Sequence, residues 1–157
     1  MVEDKVVVKR KDQVNIHHHF STMQSSESET LRMVYDNATE DLVVKRISDS
    51  EYEIQCVPVL GHDLNLHDRI VRNAGETKVI SVSGQTGFRV ALEEGNLLSA
   101  SIFYLELGEL TRGVFIEPIS HELICLSVDK NKASKLANLL QDMEKRDIIV
   151  DFETVNS

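Results

Sequence analysis

The sequence predicts an α+β protein. A mostly β portion, residues 1–85, packs with a ferredoxin-like β-α-β-β-α-β portion, residues 86–157. Short apolar segments with strand-like patterning, separated by turn residues, fill the first half. In the second half, strand-like and helix-like segments follow each other in the order of a split βαβ sheet. At 157 residues the chain fits one domain, so residues 1–157 are expected to share a single core.

In VVVKRKDQVNIHHHF, Val14, Ile16, His18 and Phe20 alternate with Asn15, His17, His19 and Ser21. That period of two marks a strand with one covered face. STMQSSESET, rich in Ser and Glu and without periodicity, reads as a loop. TLRMVYD, LVVKRIS and YEIQCVPVL read as short strands, with Asp49 and Ser50 turning between the last two and Pro58 ending or edging the third. After the loop GHDLNLHD come RIVRN and KVISVS, with Gly75 in the turn between them. SVSGQTG reads as a hairpin turn leading into FRVALEE.

NLLSASIFYLELGEL has helical length, and its place between strands argues for helix although SIFYLEL has strand propensity. GVFIEP and LICLSVD are strands about the polar turn ISHE. KNKASKLANLLQDMEKR is the clearest helix: Ala133, Leu136, Ala137, Leu140 and Met143 recur at three and four residues as one stripe. Asp129 or Asn131 is expected to cap its start, and Lys145 and Arg146 suit the negative end of its dipole. IIVDFET closes as a strand. The ferredoxin-like order places GVFIEP and IIVDFET at the two sheet edges, blunted by Pro118, Asp151 and Glu153.

Several of these segments together resemble a bacterial family. They are ETLRMVY, Y-x-I-x-x-V-P-V at Tyr52 to Val59, the stretch from Leu64 to Val71, FRV at Phe88 to Val90, GVFIE, LICLSVD, and the last helix followed by IIVDFET. The resemblance is to the family labelled domain of unknown function 4265, over about residues 29–154. The chain departs from that pattern at Val59, where an aromatic is usual, and at Leu31 and Arg32, where a Trp-containing pair is common. The resemblance implies the architecture and carries no mechanism.

Charge narrows the function. There are 26 acids against 17 bases, a balance that disfavours phosphate contacts and therefore nucleic acid. The excess is uneven: residues 24–53 hold eight acids and three bases, and residues 93–122 hold six acids and only Arg112. Such a field attracts a basic partner and speeds encounter. No apolar run approaches the roughly 18 residues of a membrane span, and MVEDKVVVKRKDQ has no secretory apolar core. The expected compartment is the cytoplasm, with Cys56 and Cys125 as buried reduced thiols.

The histidine run raises a metal site as an alternative. On a strand His17 and His19 share a side and would supply half of a zinc or nickel site, with His62, His67 and His121 as further ligands by residue type only. The simpler reading has His18 hydrogen-bonded on the covered face and His17 and His19 exposed, with no metal and no cofactor. In GHDLNLHDR, His62, Asp63, His67 and Asp68 offer acid–base chemistry, while the plainer reading has the aspartates making turns and Leu64 and Leu66 anchoring the loop. No nucleophile elbow, phosphate loop or dinucleotide fingerprint is present, so no catalytic residue is assigned. Glu106 and Glu109 share a helix face without a base at i+4, and Glu117 and Glu122 are expected to join them as a partner-binding surface.

The expectation is a non-enzymatic, acidic protein-binding protein whose partner is basic; its most concrete form is an immunity protein or antitoxin against a bacterial toxin domain. A ligand-sensing module, or a metal-dependent enzyme using the histidine-rich segments, is the alternative.

Overall fold

The computed structural model describes residues 14–18, 28–61, 63–109 and 113–155. Its first portion is one six-stranded sheet: β1 (Val14–His17), β2 (Ser28–Tyr35), β3 (Ala38–Arg46), β4 (Glu51–Ile54), β5 (Arg69–Asn73) and β6 (Glu76–Ser81). The nine-residue β3 organises it. β2 runs antiparallel along one edge of β3, from Ser28 opposite Lys45 to Tyr35 opposite Ala38. The other edge is divided: β1 pairs in parallel with residues 38–41, and β4 pairs antiparallel with residues 44–46. β4, β5 and β6 continue as antiparallel neighbours. In the β5–β6 hairpin Ala74 and Gly75 sit at φ 51° and 84°, the left-handed pair that a two-residue turn of this twist requires. Leu42, Val44, Ile54 and Ile70 fill the concave side with Tyr52, Cys56 and Leu64.

The second portion comprises β7 (Gln85–Ala91), α1 (Leu97–Glu109), β8 (Phe115–Pro118), β9 (Leu123–Asp129), α2 (Ala133–Lys145) and β10 (Asp151–Val155). Its four-stranded antiparallel sheet has the order β10-β7-β9-β8, that of the ferredoxin-like arrangement, with β8 and β10 at the edges as the sequence predicts. Alternation divides each strand between two covered faces. Phe88, Val90, Ile124, Leu126 and Val128 face the helices, where Phe103 and Leu107 of α1 meet Leu136, Leu140 and Met143 of α2. Ala91, Leu123 and Cys125 face the other way, onto Ile16 of β1 and onto Val57 and Val59. Burial on both faces is why LICLSVD reads as a nearly unbroken apolar run.

Four local expectations are corrected. YEIQCVPVL is not a strand throughout: β4 ends at Ile54, Gln55 makes a last bond to the Val43 carbonyl, and residues 57–60 lie between the sheets. SVSGQTG is not a hairpin turn, because β6 and β7 belong to different sheets; Gly84, at φ 83°, carries the chain across. Neither Asp129 nor Asn131 caps α2. A 3₁₀ turn at Lys130–Lys132 precedes the helix, closed by the Ala133 N–H on the Lys130 carbonyl, and Lys132 occupies the cap position without a side-chain capping bond. Of the stretch read as a loop after the histidines, Ser28–Thr30 are strand, and residues 21–27 lie outside the described residues.

Candidate functional site

α1 begins where Asn96 accepts the Ser99 N–H at 3.0 Å, a side-chain cap for an otherwise unpaired helix donor. Its inner face buries Phe103 and Leu107. The opposite face should then be polar, as on any helix at a surface, but it is not. Leu97, Leu98 and Leu105 are 80%, 72% and 70% exposed, and Tyr104 is 38% exposed. Ser101 and Gly108 are also exposed, and the six positions recur at one, three and four residues as a stripe along the helix. Among the described residues a Cβ built on Gly108 would meet nothing within 4 Å.

Acids stand at both ends of the stripe. Glu93 and Glu94 are exposed just ahead of the Asn96 cap, at the positive end of the helix dipole. The Leu92 N–H donates to the Glu122 carbonyl at 2.8 Å, which brings Glu122, in the β8–β9 turn, to this same end. Glu109 is exposed at the other end. Glu106 and Glu109 do not act as a free pair, because Arg146, beyond the end of α2, grips Glu106 with both terminal nitrogens at 2.8 and 2.6 Å. That guanidinium holds the Glu106 carboxyl below the usual range. The neutralising base comes from across the fold, where i+4 spacing would not find it.

Glu117 leaves this surface altogether. In β8, Ile116 turns toward the helices, and Glu117 is buried on the opposite face of the sheet. There it meets the histidine run. His18 is 4% exposed; its Nδ1 lies 2.5 Å from Glu117 Oε2 and its Nε2 lies 2.6 Å from Glu40 Oε2. Both carboxylates also hold backbone. Glu117 accepts the Val57 N–H at 2.8 Å, and Glu40 accepts those of Val59 and Leu60 at 2.6 and 2.9 Å. Pro58 has no N–H, so every donor from Val57 to Leu60 is satisfied although the segment has left the sheet. With a carboxylate at each ring nitrogen, His18 fits as an imidazolium donating to both. Burial pushes its pKa down, but the two carboxylates, Glu117 and Glu40, outweigh burial and set it well above the ordinary histidine range. Cys56 and Cys125 are free, and burial pushes both thiols up.

His18 therefore has no ring nitrogen left for a metal. His17 is exposed and lies 2.9 Å from Asp41, which Arg32 grips at 2.8 and 3.0 Å. His19 and His62 lie outside the described residues. His67, at φ 71°, sits 3.4 Å from Glu53, away from His17. Among the described residues no group of three or more His, Cys, Asp or Glu is arranged to hold a metal ion. Asp68 is buried and structural: it accepts the Asn65 and Ser83 N–H groups at 2.9 and 2.8 Å. Asp63 is exposed, and Leu64 and Leu66 anchor the loop.

The layered α+β fold has been seen elsewhere. A solved structure titled as that of a hypothetical protein from Neisseria gonorrhoeae superposes with a TM-score of 0.60 over 85% of this chain and 97% of that one, at 20% identity. Residues 40–150 match the family model described as domain of unknown function DUF4265, and the chain belongs to that family. No curated protein matches the sequence. Among the described residues no helix is long and apolar enough to cross a membrane.

Proposed function

We propose that this is a non-enzymatic, cytoplasmic binding protein that docks a basic protein on the outer face of α1. Its most concrete form is an immunity protein or antitoxin that covers a bacterial toxin domain. The observation that supports this reading is the apolar stripe of Leu97, Leu98, Tyr104 and Leu105, with Glu93, Glu94 and Glu122 at one end and Glu109 at the other. Burying one such leucine is worth about 1.5–3 kcal/mol, so the stripe supplies affinity while the acids select the partner and speed encounter. A second copy is a poorer occupant. Two chains of net charge −9 would bring acid-flanked stripes together.

The test is association kinetics with the product of the neighbouring gene, at low and moderate salt. Leu98→Ser together with Leu105→Ser should abolish binding without altering thermal unfolding. Glu109→Lys should slow association most at low salt. Binding that ignores both changes would place the interface elsewhere.

A further inference from the structure

The six-stranded sheet curls without closing. β2 and β6 are not ladder partners, and side chains of β5 and β6 reach across to β2. Arg72 Nη1 donates to the Arg32 carbonyl at 2.9 Å and approaches Met33 Sδ at 3.4 Å, and Thr77 Oγ1 lies 3.9 Å from the same sulfur. The gap beside these contacts is a cleft of about 450 Å³, floored by Leu60, Gly61 and Leu64. That volume falls in the roughly 300–1,000 Å³ range of small-molecule sites. Strand parity makes its walls: Met33 and Tyr35 from β2, Thr77 and Val79 from β6, with Leu64 completing an apolar lining. Gly61 is part of the design. A Cβ there would stand 3.0 Å from Leu64 Cδ1 and 3.1 Å from the Tyr35 hydroxyl, so any larger residue would push the phenol and Leu64 aside.

The electrostatics select the ligand's sign. The Tyr35 phenol is pushed up to about 12 by burial and by the charges of Glu40 and Asp63, against which Arg72 acts more weakly. The field at the cleft is therefore that of the acids. Asp63 lines the cleft and is exposed, while Arg72 stands outside the lining, donating to the Arg32 carbonyl. Among the described residues that line the cleft Asp63 is the one charged group, so an ammonium meets Asp63 and the oxygens of Tyr35 and Thr77, all able to accept hydrogen bonds.

We propose that this cleft binds a small organic cation with an apolar body, an arylalkylamine or alkylamine. Its ammonium lies at Asp63 and its apolar part lies against Met33, Leu64 and Val79. This site is separate from the α1 surface and does not depend on it.

The experiment is titration of methyl-labelled protein with tryptamine, and separately with indole-3-propionate, a similar ring carrying the opposite charge. Met33 is in the wall of the cleft, and Met143 is sealed in the helical core as an internal control. Tryptamine should shift the Met33 methyl saturably and leave Met143 unmoved, indole-3-propionate should not bind, and Asp63→Asn should weaken tryptamine at least tenfold. Asp63 is exposed, so that variant folds. The proposal is overturned by no saturable shift at Met33, by equal binding of the two probes, or by undiminished binding in Asp63→Asn.

Discussion

Replacing His18 by glutamine takes the cation and its titratable proton out from between Glu40 and Glu117 while keeping a polar side chain. Both acids are buried, so the variant leaves two carboxylates facing one another without a cation. Removing one partner of a buried ion pair costs about 3–5 kcal/mol, a large share of the roughly 5–15 kcal/mol that holds a domain folded. The pH profile tests this more sharply than the midpoint does. The unfolded chain gives up its histidine proton near pH ~6.5, whereas the folded chain keeps it on His18, whose pKa is raised. Above that pH, folding takes up a proton. The stabilisation is complete below pH ~6.5 and declines by about 1.4 kcal/mol per unit as pH rises toward the folded value. Between pH 6.5 and 8 this amounts to about 2 kcal/mol. At higher pH the two buried thiols add to the decline, since unfolding frees them to ionise near ~8.5. Urea denaturation of wild type and His18→Gln at half-unit steps is the assay. Wild type should lose stability more steeply than the variant by about 1.4 kcal/mol per unit, and both His18 ring nitrogens should keep imidazolium chemical shifts at pH 8. Parallel profiles, or a neutral ring at pH 8, would refute the imidazolium assignment.

Leu140→Ala should destabilise by about 2–5 kcal/mol, because Leu140 is fully buried between α2 and the sheet; a cost within about 0.5 kcal/mol in chemical denaturation, the surface range, would mean that the α2 face is misassigned. Untagged protein purified without a metal column should carry no stoichiometric zinc. One equivalent lost on His17→Ala with His19→Ala would reinstate the metal site.

The ferredoxin-like unit was legible because its signals are local. The Leu136, Leu140 and Met143 stripe, the strands about ISHE and the edge proline Pro118 each follow from spacing within a few residues. The interior between the sheets was not legible, because long-range partners satisfy it. YEIQCVPVL looks like a strand until Glu40 and Glu117 are known to take its N–H groups from 19 and 60 residues away. One signal was present. Glu40 shares strand parity with Leu42 and Val44, and His18 shares it with Ile16, so both polar residues stood at inward positions. For Glu117 the edge position of β8 suggested solvent, whereas the inserted segment covers that face. The outer stripe of α1 was visible as an apolar helix, but which leucines face outward depends on where Phe103 and Leu107 point.

The His18–Glu117 contact spans 99 residues of chain. A ribosome adding roughly 5–20 residues per second makes Glu117 about 5–20 s after His18. Through that interval β1 can reach Glu40, 22 residues downstream, but not its second carboxylate. The first described strand is thus among the last to have its buried contacts completed: the six-stranded sheet can pair before β8 is made, but the ion triad beside it cannot close until β8 arrives.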